Sequence, residues 1–106
     1  MGEASQRKRA NGERKLTTVL REYGYVMERG GSLSFGEVPN LVGLPSIHIE
    51  CMRVVRLNVS VAMQHAVKDS QWFKGGMPTL FHRKNRQPWL VMVRLEDFMQ
   101  LYQGKE

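Results

Sequence analysis

Leu16, Val19, Leu20 and Tyr23 recur at three- and four-residue spacing, which predicts a helix starting near Asn11 and ended by Gly24. Tyr25–Arg29 then reads as a short strand and Gly30-Gly31 as a turn. Val38–Val42 is a second extended run, and Pro39 suits a strand start or edge. Gly43, Pro45 and Ser46 form the next turn, and Ile47–Arg53 alternates as a strand does. Asn58 or Ser60 caps a helix reaching Phe73, with Val59, Ala62, Met63, Ala66 and Val67 inward. Gly75-Gly76 stops it, and Met77–His82 and Trp89–Arg94 are two more strands joined by the polar loop Arg83–Pro88. Leu95–Tyr102 closes the chain as a short amphipathic helix. The order α-βββ-α-ββ-α describes an α/β domain, a mixed sheet flanked by helices.

A length of 106 residues permits one domain, expected over 11–106, preceded by a flexible basic segment over 1–10 that carries no apolar stripe. No apolar run approaches the roughly 18–20 residues that cross a bilayer, so no membrane association is expected. The first fifteen residues hold charge but no apolar core, unlike a secretory signal. The single cysteine, Cys51, excludes an intramolecular disulfide and a four-cysteine zinc site, and fits a reducing interior.

Charge narrows the class of partner. Sixteen Lys and Arg against ten Asp and Glu give +6, with an isoelectric point near 9.9. The cations cluster: Arg7, Lys8, Arg9, Arg14 and Lys15 lead the chain, and Arg83, Lys84 and Arg86 form a second group. Clustered cations favour neutralisation of phosphates, so DNA is the expected partner. The plain alternative is a solvated, solubilising surface.

The most informative stretch is Pro39–Arg53. Along its strand Ile47, Ile49 and Cys51 point one way and His48, Glu50 and Met52 the other. Met52 breaks the alternation, standing where a polar side chain is expected, and Asn40 on the preceding run can approach the same face.

This segment resembles the core of the PD-(D/E)xK nuclease superfamily, in which Pro-Asp and a turn precede a strand ending Glu-x-Lys. The chain is most similar to the small phage-encoded, Holliday-junction-resolvase-like endonucleases of that group. Pro39–Arg53, Gln64-His65-Ala66 and Pro78–Tyr102, with His82-Arg83-Lys84-Asn85-Arg86 and Trp89-Leu90-Val91, carry the similarity. It implies a restriction-endonuclease-like fold, Mg²⁺ as cofactor, and hydrolysis of phosphodiesters in branched or duplex DNA. It further implies metal contacts from Glu13, Asn40 and Glu50, and catalytic positions at Asn40, Glu50, Met52 and Gln64. Asn40 stands where the family has its aspartate and Met52 where it has its lysine. Loss of one preorganised charged group commonly costs about 10²–10³ in rate, so weak or absent cleavage is expected.

Each residue also has a plainer reading. Asn40 can serve a turn, Glu13 an ion pair with Arg14 or Lys15, and His48 a structural hydrogen bond. Gln64 can face site or solvent. The seven methionines read as core filler, and Trp72 and Trp89 as packing anchors unless exposed to stack on a base. A homodimer is expected from the resemblance, because a four-way junction has two symmetric cuts. The expected setting is the cytoplasm of a bacterial host carrying a phage or prophage. The alternative function is a non-catalytic descendant of the nuclease fold that binds DNA or a host protein.

Overall fold

The computed structural model describes residues 3–29, 41–52, 56–73, 76–84 and 86–104, with side chains from residue 12 onward except that of residue 29. Helix α1 spans Glu3–Glu22, so it takes in most of the segment expected to be flexible. Ala4 to Ala10 contains neither proline nor glycine, and Glu3 stands in the first turn where the helix dipole favours an acid. These backbone preferences need no apolar stripe, which is why periodicity alone placed the start at Asn11. The helix ends at Gly24 (φ +95°): the Tyr25 amide donates to the Leu20 carbonyl at 3.3 Å and the Gly24 amide to Arg21 at 2.9 Å. That closing turn carries Tyr23, expected on the inner face, into solvent.

The chain then makes a short pair of strands, β1 (Glu28–Arg29) antiparallel to β2 (Leu41–Val42). Strand β1 is shorter than expected because the Tyr25 amide is committed to closing α1 and only Met27 turns inward, with its carbonyl accepting from Arg21 at 3.1 Å.

The main sheet has three strands in the order β3-β4-β5. Strand β3 (Ile47–Met52) runs parallel to β4 (Met77–His82), and β4 runs antiparallel to β5 (Leu90–Met92). Helix α2 (Val59–Phe73) makes the crossover between the parallel strands. Asn58 caps it, its side-chain carbonyl accepting from the Val61 amide at 3.2 Å. Helix α3 (Leu95–Tyr102) follows β5. Arg94 precedes it and donates through Nε to Asp97 Oδ2 at 2.9 Å; this bond holds the guanidinium pKa above its already high ordinary value. The architecture is α/β, a mixed sheet with helices, as the pattern predicts.

Two apolar clusters occupy the two faces of β3. Leu16, Met27, Leu41, Ile49 and Phe81 form the first, with Ile47, Cys51 and Trp89 against it, so α1 covers the face of the odd-numbered residues. Ala62, Ala66 and Leu80 form the second, with Met52, Met63 and Met92, so α2 covers the even face. Both faces of a parallel pair are buried in this way because the crossover helix lies on one of them. Met52 therefore does not break a polar surface; it fills apolar space beneath α2. Among the described residues, no helix is long and apolar enough to cross a membrane.

Register depends on one close approach. The Met77 amide donates to the Ser46 carbonyl at 2.8 Å, and Gly76 (φ +99°) lies so near that a Cβ there would meet the same carbonyl oxygen. Gly24 shares the left-handed backbone, but nothing lies within 4 Å of the corresponding Cβ position. Gly24→Ala should therefore cost only the left-handed conformation, about 1–2 kcal/mol. Gly76→Ala should cost clearly more in denaturant unfolding, and equal losses at the two positions would contradict this packing.

Candidate metal centre

Residues on the even face of β3 lie between the sheet and α2. His48 is 3% exposed, whereas Glu50, two residues on, is only partly buried. Their side chains meet at His48 Nε2 and Glu50 Oε1, 3.4 Å apart. From above, α2 adds Asp69. One ligand atom from each of His48, Glu50 and Asp69 lies within 4.8 Å of the others. One turn further along α2, Phe73 stacks on the His48 ring, with centroids 6.3 Å apart and planes 14° from parallel. The ring on β3 is thereby held against α2.

This group differs from the one the resemblance implies. Glu50 is present and shares its face with Met52, whose side chain packs against Ala62, Ala66 and Leu80 and brings no charge to the site. Glu13 is 6% exposed on α1, next to Leu16 and Thr17, and so belongs to the helix that covers the opposite face of β3. It is not a member of the His48–Glu50–Asp69 group. Gln64 is exposed and lines a groove of about 950 Å³ between α2 and the β5–α3 segment, with Val91 and Phe98. It points away from Glu50 because it lies five positions before Asp69 on α2, about 140° around the helix axis from it. Asn40 lies outside the described residues. Arg7, Lys8 and Arg9 fall within α1, where only the backbone is described.

The basic loop is ordered by its own backbone. The Gln87 amide donates to the Lys84 carbonyl at 3.0 Å, and Arg83 Nε donates to the Gln87 carbonyl at 2.8 Å. Lys84 and Arg86 are exposed and Arg83 partly so. Because β3 and β4 are parallel and Met52 is level with His82, this loop leaves from the end of the sheet that carries Glu50 and Met52. Exposed Arg56 follows the same end of β3. The carboxyl ends of parallel strands are where open α/β sheets place their ligands. Trp89 packs with the first core cluster as expected, but Trp72 does not: it is 77% exposed, three residues from Asp69 on α2.

His48 and Asp69 stand beside Glu50. The plainer, structural role of His48 fits its burial, but the ring also faces a carboxylate. Asp69 carries a readable signal: Ala62, Ala66, Asp69 and Phe73 follow 4-3-4 spacing on one helix face, and an acid interrupts that otherwise apolar stripe. Among known proteins, no family matches the chain and no curated protein is similar to it.

Two carboxylates within 4.8 Å repel, by roughly 1 kcal/mol at the dielectric of water and more in partial burial. Asp69→Asn, measured in EDTA by denaturant unfolding, should raise stability by about 1 kcal/mol. A loss of stability would mean that a favourable contact holds Asp69 in place.

Proposed function

We propose that the chain is a DNA-binding domain of the metal-dependent endonuclease type, resembling the PD-(D/E)xK resolvase-like enzymes of phages, with catalysis impaired. The observation that carries this reading is the position of Glu50. It lies beside two further side chains able to ligate a metal, two residues before the strand end from which Arg83, Lys84, Arg86 and Arg56 leave. A phosphate backbone held by those cations would lie across the carboxyl end of β3, next to the acid. A divalent cation there, Mg²⁺ on the resemblance, supplies charge neutralisation and an activated water. Glu50 would hold it. Met52 offers neither a proton nor a positive charge to the developing phosphorane, which is the reason to expect slow cutting. The setting that suits such a domain, with a single cysteine, is the cytoplasm of a phage-infected or lysogenic bacterium.

A second reading, a non-catalytic module that binds a protein, is favoured by a different observation. Leu90 and Val91 on edge strand β5, and Leu95, Phe98, Leu101 and Tyr102 on α3, are 48–77% exposed, and Val91, Leu95 and Phe98 line one mostly apolar groove together with Lys68 and Arg94. Surfaces of this kind mark contacts with other proteins or with a second copy of the chain.

DNA affinity separates the two. On the nuclease-type reading, binding to junction and duplex DNA falls by orders of magnitude between about 50 and 200 mM salt. Replacing Arg83, Lys84 and Arg86 by Gln should flatten the slope of log K against log salt by up to about 0.9 per cation that meets a phosphate. The protein itself should cut poorly with Mg²⁺. Asn40→Asp combined with Met52→Lys should restore metal-dependent cutting, and Glu50→Ala in that background should remove it. Absence of salt-dependent DNA binding would leave the protein-binding reading in place.

A further inference from the structure

His48 is a buried imidazole whose two nitrogens are both poorly served. Among the described residues Nδ1 has no hydrogen-bond partner, and Nε2 meets only Glu50 Oε1, at 3.4 Å. A charge-assisted N–H···O⁻ bond closes to about 2.7–2.9 Å, so this contact is long for a hydrogen bond. It has a different natural explanation. Two donor atoms each about 2.1 Å from one ion, at a near-tetrahedral angle, lie about 3.4 Å apart. Asp69 supplies a third donor from the facing helix, within 4.8 Å of the other two. Phe73, stacked on the ring, restricts its rotation and keeps Nε2 aimed at the carboxylates.

We infer that His48, Glu50 and Asp69 together bind a divalent d-block ion, Zn²⁺ or Mn²⁺, in preference to Mg²⁺. This rests on the reading of Glu50 as a metal-binding carboxylate and specifies the ion and its other ligands. The chemistry of the donors decides the preference. Mg²⁺ demands near-octahedral oxygen coordination and gives up its waters reluctantly, whereas imidazole nitrogen suits Zn²⁺ and its neighbours in the first transition row. One nitrogen and two carboxylate oxygens would balance the double charge of the ion and leave a position open to water or a phosphate oxygen. Asp69 also takes over part of the role that Glu13 cannot fill from the other side of the sheet. Among the described residues no acceptor stands behind Nδ1, and such outer partners are worth about 10–100-fold in affinity. Binding is therefore expected in the micromolar rather than the nanomolar range.

The test uses the full chain stripped with EDTA and loaded separately with Mn²⁺, Zn²⁺ or Mg²⁺. Mn²⁺ and Zn²⁺ should each raise Tm by roughly 5–10 °C at saturation, and Mg²⁺ at equal concentration much less. Pulsed electron paramagnetic resonance of the Mn²⁺ form should detect one coordinated imidazole nitrogen, lost in His48→Gln. Asp69→Asn should weaken Mn²⁺ binding by about tenfold or more while leaving the nitrogen signal of the residual bound fraction. Should His48→Gln fail to fold, Asp69→Asn and the nitrogen signal of the unaltered protein decide the matter. Mg²⁺ binding as tight as Mn²⁺, without a nitrogen signal, would overturn the choice of ion but keep Glu50 in an oxygen site. A nitrogen signal indifferent to both substitutions would place the ion elsewhere, and no binding by any ion would remove the metal centre altogether.

Discussion

Strand β3 is the element through which both halves of the molecule are joined. Its odd residues, Ile47, Ile49 and Cys51, close the core beneath α1, while its even residues, His48, Glu50 and Met52, face α2. Because side chains alternate strictly, one residue of slippage would exchange the two sets and put His48 and Glu50 into the apolar cluster of Leu16 and Phe81. The register is held where the chain re-enters the sheet. Gly76 passes against the Ser46 carbonyl, Met77 bonds to it, and Ile47 is thereby set level with Met77. Everything said of the site follows from that alignment, including the placing of Glu50 level with Leu80 and Met52 level with His82.

The same arrangement explains why polar groups can be buried beside an apolar cluster. Beneath α2, the small residues Ala62 and Ala66 let the helix sit close over Leu80, which is fully buried. Further along the helix the stripe changes to Asp69 and Phe73, over His48 and Glu50. One helix thus packs tightly at one part of its length and presents a donor group at another. Holding two carboxylates within 4.8 Å of each other is opposed by like-charge repulsion, and local conflicts of this kind are expected at functional sites.

Much of this was legible in the residues. Met77–His82 and Leu95–Tyr102 have the predicted bounds, because each is enclosed by glycine, proline or charged residues and has an unambiguous period. Gly24 as the end of α1 was equally plain, and Asn58 is the one of the two candidate caps, Asn58 and Ser60, that caps α2, since such roles depend on local chemistry. The start of α1 was not, because helix propensity without an apolar stripe leaves no periodic trace. The faces of the helices were also harder to read than their extents. Glu13 and Gln64 lie on helices of the expected kind but turn toward the α1 core and the α2–α3 groove, and helical phase relative to a sheet is set by tertiary packing. Asp69 visibly interrupts the apolar stripe of α2, but its meaning appears only once α2 is known to cover the even face of β3.

Diffraction from crystals soaked in Mn²⁺, recorded for its anomalous signal, tests whether the even face of β3, closed by α2, is a metal centre. One strong peak should lie about 2.1–2.2 Å from His48 Nε2 and from carboxylate oxygens of Glu50 and Asp69. A peak at Glu13 on the α1 side of the sheet, or none near Glu50, would contradict it.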